Sequence, residues 1–286
     1  MPVFQDPALN RRKLRDALRD ARIKASMTQP QAADALEWSR SKIIRIEGGL
    51  VSLSVTDLRA MLQLYNVTDV AVVSALEEAA RNSKGNSWWT EFNDIIKPPF
   101  AQLLSYEAAA STIRMYHPVV VPGQLETYDY AVALLSAQVS EEEARHNADL
   151  RMKRYERIIE TDLGPEVLAV VDETALLRQI GTPAVMRNQL RHLRKLVDHP
   201  RVDLRILPLD AGAHYSTLFS FLLLSFEGSE NDLLYQESAF GGTASSDEVE
   251  YIAHYQECFE EISSRSLKEA DAQEAIDKAM ERLSQD

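Results

Sequence analysis

Between Ser39 and Arg45 the chain sets two hydroxyls, Ser39 and Ser41, and three cations, Arg40, Lys42 and Arg45. Ile43 and Ile46 fall between and just after them at helical spacing, so the polar groups share the outward side of a helix whose other side is buried. An arginine fork on such a surface matches the O6 and N7 acceptors of guanine in a major groove, each good pair giving about 1–3 kcal/mol of discrimination. A helix lying in that groove presents all five of these side chains to base edges. Thr28 and Gln29 add a hydroxyl and an amide at the start of the preceding helical stretch.

Four further elements must hold these groups in place. Residues 11–25 carry Leu14, Ala17, Leu18, Ala21 and Ala25 at helical spacing, with a charged opposite face. Thr28 is a good N-cap, and Pro30 falls in the first turn, where its missing N–H costs nothing. The second helix runs to about Leu36, "EWS" makes a turn, and Ser39 caps a third helix ending at Glu47 before Gly48-Gly49. Ser54 caps a fourth, with Val55, Leu58, Met61, Leu62 and Tyr65 as its apolar stripe. "VAVVSALEEAARN" reads as a fifth. Five short helices with a tight turn between the second and third predict a helix-turn-helix domain.

"LRDARIKASMTQPQAADAL", "SRSKIIRIEGG" and "SLSVTDLRAMLQLYNV" together resemble the Xre and phage-repressor family over residues 10–68. The resemblance implies that Gln29 clamps a backbone phosphate and that Glu47 pairs structurally with Arg22. It also implies double-stranded DNA as the partner. Two such readers about 34 Å apart, in a homodimer, would recognise a pseudo-palindromic operator. Trp38 and Arg59 read as packing or solvent residues. Ile44 departs from the small polar residue of many relatives, and its branched apolar chain suits a thymine methyl or a protein neighbour.

The 286 residues carry a formal charge of -13, unevenly spread. Residues 1–68 hold 11 Lys+Arg against 7 Asp+Glu, and the remainder holds 20 against 37. Fields are screened over roughly 8–10 Å at ordinary salt, so the basic end can attract phosphates while the acidic remainder suppresses non-specific binding. The single cysteine, Cys258, cannot form an internal disulfide or a cysteine-based metal cluster and reads as a plain thiol. No apolar run approaches about 18 residues, and "MPVFQDPALNRRKLRD" lacks the pattern of a signal peptide. The expectation is a cytoplasmic protein with no membrane association.

The polar run after Asn82 predicts a boundary, giving residues 1–82 as an all-α five-helix domain and residues 83–286 as a larger α+β domain, a small sheet plus helices. "VLAVVDETALL", "VDLRILPL", "FSFLLLSF" and "LLYQES" read as strands, the first passing into a turn or helix. "EEEARHNADLRMKRYERIIE" reads as an amphipathic helix over 141–160, "PAVMRNQLRHLRKLVDHP" as another, and two more close the chain. "EAAASTIRMYHPVVVPGQLETYDYA", "DETALLR", "RVDLRILPLDAGAH" and "FSFLLLSF" resemble the C-terminal domain of actinobacterial Xre-type regulators described as antitoxin-like, over roughly residues 90–283. Where relatives read Pro-Gly-Leu-Leu-Gln-Thr, this chain has "PGQLET", with Gln124 and Glu126 in a different order.

No dinucleotide fingerprint, Walker loop, HExxH or nucleophile elbow is present. His117 and His214 each lack a partner fixed by spacing and read as structural. Asp172 and Glu173, adjacent on a strand, would point to opposite faces. No enzyme activity, catalytic residue, metal or cofactor is therefore expected. Two roles stay open for the second domain. It senses a small-molecule effector in a pocket between sheet and helices, or it docks a small basic protein encoded by a neighbouring gene. In the second case the chain would be an antitoxin that neutralises that neighbour and represses its own operon. A deep, mostly apolar pocket would favour the first, and an open acidic face with exposed aromatics the second.

Overall fold

The computed structural model describes residues 7–48, 51–85, 87–227, 232–237, 243–246 and 248–283. Gly49, Ser238 and residues 1–6, which fall within sequence patterns quoted above, lie outside them. The chain divides into two compact units, Met1–Glu91 and Phe92–Asp286.

The first unit holds α1 (Pro7–Lys24), α2 (Gln29–Ala35), α3 (Arg40–Glu47), α4 (Val55–Leu64) and α5 (Val70–Asn82). Each start after α1 has its own side-chain cap: Thr28, Ser39, Ser54 and Asp69 accept from backbone N–H groups of the first turn. Thr28 forms a reciprocal box with Gln31. Leu14, Leu18, Ile43, Ile46, Leu58, Met61 and Leu62 meet in one core. The unit extends past the Asn82 boundary expected from sequence. A 3₁₀ turn, Trp88–Phe92, follows α5, Trp89 is buried, and Arg11 of α1 donates to Ser87 Oγ at 3.3 Å.

Three helices of this unit end in the same way. Ser26, Glu37 and Asn66 take left-handed backbone, with φ of 56°, 55° and 58°. Their N–H groups and those of Met27, Trp38 and Val67 return to carbonyls of the last helical turn, the double bond of a Schellman ending. Glycine is the usual residue there because L side chains crowd in that conformation. Glu37 lies in the turn between α2 and α3.

The second unit is a six-stranded sheet in the order β3-β2-β1-β4-β5-β6 among the described residues. Its strands are β1 (Thr112–His117), β2 (Glu166–Asp172), β3 (Val202–Leu207), β4 (Phe221–Ser225), β5 (Leu233–Glu237) and β6 (Thr243–Ser246). β1, β2 and β3 run parallel, and β1–β4, β4–β5 and β5–β6 are antiparallel. Helical crossovers build the parallel half, since parallel strands cannot be joined by a tight turn: α7 (Tyr128–Leu135) and α8 (Glu141–Tyr155) between β1 and β2, α9 (Glu173–Leu177) and α10 (Pro183–Leu196) between β2 and β3. α6 (Pro98–Glu107) precedes the sheet; α11 (Val249–Ser264) and α12 (Glu269–Arg282) follow it.

Alternation along the strands feeds two cores. Ile113, Met115, Val167, Ala169, Leu204 and Ile206 face one side, with α6, α7, α10 and α12. Tyr116, Val170, Phe221, Leu223 and Leu234 face the other, under Ile252, Tyr255, Phe259 and Ile262 of α11. β2 therefore has both faces covered, which explains its nearly unbroken apolar run.

Two sequence expectations are corrected. The helix expected over 141–160 ends at Tyr155 and passes into a π turn, Glu156–Glu160. The Arg201 guanidinium collects the carbonyls of Ile158, Ile159, Thr161 and Pro165 and so satisfies the groups that the wider turn frees. Asp172 and Glu173 do not share a strand. Asp172 ends β2 and caps α9, its Oδ1 accepting from Thr174 N–H at 2.8 Å, while Glu173 opens that helix and accepts from Leu209 N–H. β6, a short strand of small polar residues, had no apolar alternation to reveal it.

Replacing Glu37 by Gly is expected to relieve the left-handed strain and raise the stability of the first unit by about 0.5–1 kcal/mol, net of the extra freedom gained by the unfolded chain. Slower hydrogen exchange of α2 and α3 amides in the full-length protein checks this. Exchange that quickens instead would mean that the Glu37 side chain holds the turn.

Candidate nucleic-acid interface

Ile43 and Ile46 are 0 % and 4 % exposed, so α3 is pinned along one side and must present the other. Ser39, Arg40, Ser41, Ile44 and Arg45 all lie exposed on that presented side. Arg40 and Arg45 have no carboxylate partner among the described residues. Ser39 spends an oxygen lone pair on Lys42 N–H at 3.3 Å and lies 3.1 Å from Ser41 Oγ.

Lys42 is placed differently. Its ammonium sits 3.5 Å from the centre of the Trp38 ring and 3.1 Å from Asp57 Oδ1 on α4. The flat ring and the carboxylate draw the cation back onto the protein. Trp38 is thus the packing residue expected, and it packs a residue assigned to DNA. Arg59 likewise pairs with Glu77 on α5 at 2.6 Å. Neither arrangement leaves a mark in residue spacing, because Lys42 and Asp57 belong to separate helices.

Behind α3 lies a buried polar knot. Arg22 Nε and Nη2 donate to the two oxygens of Glu47 at 2.7 and 2.8 Å, and Arg22 Nη1 donates to Met27 O at 2.8 Å. Gln29 Nε2 donates to Glu47 Oε2 at 2.9 Å. The Glu47 side chain is 3 % exposed. Its bond to Glu47 raises the Arg22 guanidinium further above its ordinary value. One carboxylate thus joins α1, α2 and α3. Gln29, assigned to phosphate on resemblance, is held by this knot through one amide hydrogen and keeps its second hydrogen and carbonyl oxygen for other partners. Thr28 is exposed and occupied with its capping box.

The titratable groups of the second unit are arranged separately. Tyr116 Oη lies 3.3 Å from His214 Nε2 and 3.5 Å from Asp172 Oδ2. Burial, ahead of the nearby Arg265 charge, lowers the His214 imidazole. Cys258 Sγ is 3.7 Å from His254 Nε2, and burial, then the neighbouring Glu261 and Glu257, push its thiol up, away from the reactive thiolate. Among the described residues, no three His, Cys, Asp or Glu side chains are grouped to hold a metal ion, and no helix is long and apolar enough to cross a membrane. His117 ends β1, its Nδ1 accepting from Val119 and Val120 N–H at 3.3 Å each. Burial, helped by the Arg151 charge, holds its imidazole down to about 4.

Two outcomes follow. Glu47→Ala leaves Arg22 buried without its carboxylate and frees Gln29, which is expected to cost about 3–5 kcal/mol in urea unfolding of the first unit. For His117, the unfolded imidazole takes up a proton near 6.5 and the folded one only near 4. The unfolded chain therefore binds more protons in that window, and stability falls as pH drops through it. His117→Asn, which keeps an acceptor for Val119 and Val120, is expected to recover about 2–3 kcal/mol between pH 7 and pH 4.5. An unchanged acid limb would remove His117 as its cause.

The profile of a helix-turn-helix domain matches residues 13–76, spanning α2, α3 and the knot behind them. The profile of a domain of unknown function (DUF5753) matches residues 100–278, nearly all of the second unit. No curated protein and no solved structure matches the chain. The chain is a helix-turn-helix DNA-binding regulator in architecture, and by the extent of the second match it belongs to the family defined by the domain of unknown function DUF5753.

Proposed function

We propose that the protein is a sequence-specific transcriptional regulator that reads a pseudo-palindromic operator as a homodimer, with α3 in the major groove and Gln29 on the backbone. The observation that carries this reading is the presentation of Arg40 and Arg45, exposed and without carboxylate partners among the described residues, from a helix fixed by Ile43, Ile46 and Glu47. A rigid helix is what bidentate base contact requires, because a fork that swings loses its match to O6 and N7. Ile44, 44 % exposed between them, supplies an apolar contact of the kind that suits a thymine methyl. The reading gives the chain no catalysis and no cofactor. In it, the second unit senses a small molecule that favours one state of the regulator over another. A cavity in that unit, lined by polar as well as apolar side chains, supports this assignment by its size of ≈390 Å³.

A second reading has its own observation. Tyr215, Leu218, Phe219 and Tyr251 are each more than half exposed, and α11 beside Tyr215 bears Glu250, Glu257, Glu260 and Glu261. An acidic face with bare aromatics fits a small basic protein, as an antitoxin-like regulator would require. Co-purification of an untagged neighbouring gene product would favour it.

Selection of random duplexes by the full-length protein should yield a two-fold site. Arg40→Ala and Arg45→Ala are each expected to lower preference for it by about tenfold or more, and Gln29→Ala to weaken all sites about equally. If both arginine variants keep the parent preference, α3 is not the reader.

A further inference from the structure

The cavity of ≈390 Å³ opens at the carboxyl end of β1, the strand with a parallel neighbour on one side and an antiparallel one on the other. Sheets leave crevices at such strand ends because the flanking connections depart in different directions. Phe100, Val119, Leu135 and Leu222 give it an apolar wall. Arg151, Arg154 and Glu126 also line it, with Gln138 and Asn147. Residues 69–286 hold nearly two acids per base, yet here two arginines converge on one hollow lined by polar and apolar side chains alike.

The two arginines are not equivalent. Arg154 grips the buried Glu107 carboxylate with Nε at 3.0 Å and Nη2 at 2.6 Å, and Gln124 Nε2 holds the same carboxylate at 2.9 Å. Arg151 meets the buried Glu126 through Nη1 alone, so its remaining N–H groups have no partner among the described residues. Its guanidinium lies against the backbone of Gly123, with Cζ 3.6 Å from where a Cβ would stand. His117 adds a second donor. With Nδ1 occupied by two backbone N–H groups, the neutral ring carries its proton on Nε2, and His117 lines the same cavity. The hydrogen-bonding capacity left over on Arg151 and His117 thus consists of donors, which select an acceptor.

We propose that this cavity binds a small molecule with an apolar body and a single carboxylate head. The head is seated on Arg151 and on His117 Nε2–H, and the body lies along Phe100, Val119 and Leu135. Glu126 fixes the inner edge of the Arg151 fork and leaves the outer edge for the ligand. This gives a chemical class to the effector of the sensing reading, and depends on that reading only for an effect on DNA.

Isothermal titration of the full-length protein, free of DNA, with decanoate, decanol and decylamine below their micelle concentrations tests the site. Decanoate is expected to bind one to one, about tenfold or more tighter than decanol, as a charge-assisted hydrogen bond provides, with decylamine weakest. Leu135→Trp fills the apolar wall and should abolish binding. The double change Glu126→Gln with Arg151→Gln removes both members of the ion pair, and should bring decanoate down to the level of decanol. Equal affinity for the three heads, binding untouched by Leu135→Trp, or no uptake of decanoate overturns the proposal. Operator affinity is then measured with saturating decanoate. An unchanged value counts against sensing while the site stands, whereas absent binding removes the site and leaves the DNA reading intact.

Discussion

The first unit depends on a carboxylate buried where water cannot reach it. An ionised Glu47 in a low-dielectric interior is tolerable only if its oxygens are fully engaged and a countercharge is close. Arg22 from α1 and Gln29 from α2 meet both demands, and Glu47 itself is the last residue of α3. The three helices are therefore fixed by one charge balance as well as by apolar contact. Isoleucine packing alone allows a helix to slide or roll by small amounts at modest cost. A bidentate fork does not, because its donors and acceptors must stay in one plane. The pose of Arg40 and Arg45 is inherited from this geometry.

The second unit repeats the device on a different scaffold. Glu107 ends α6, Arg154 lies in the last turn of α8, and Gln124 belongs to the turn after β1. Their bonds tie three segments that share no ladder. The knot sits beside the change from parallel to antiparallel pairing at β1, where ladder bonds organise the strands but not the connections above them. Buried polar networks are expensive, so their presence where a hollow must be kept open has a physical logic. Side chains held by charged bonds cannot collapse inward as leucines would.

Much of this was legible in the residues. Four helix starts in the first unit follow from Thr28, Ser39, Ser54 and the spacing beyond them, since capping and periodicity are local. The strands β2 to β5 were legible because apolar runs between turn residues are also local. The Arg22–Glu47 pair came through likeness to a family and not through spacing. What stayed hidden joins distant segments: the Lys42–Asp57 contact, the Arg201 collar on the π turn, and the Glu107–Arg154–Gln124 knot. The left-handed endings at Ser26, Glu37 and Asn66 also carry no local mark, because the sequence marks such sites most clearly with glycine and none stands there.

The stacking of Lys42 between Trp38 and Asp57 has a consequence for the energetics of binding. A duplex carries a sheath of condensed cations, and each lysine or arginine that docks on a phosphate liberates some of them, which gives association its entropic drive and its sensitivity to ionic strength. Lys42 and Arg59, each already matched by an internal acid, liberate little. On the proposed reading, recognition by this domain then leans on the fit of base edges more than on displaced ions, and its affinity should decline gently as salt rises.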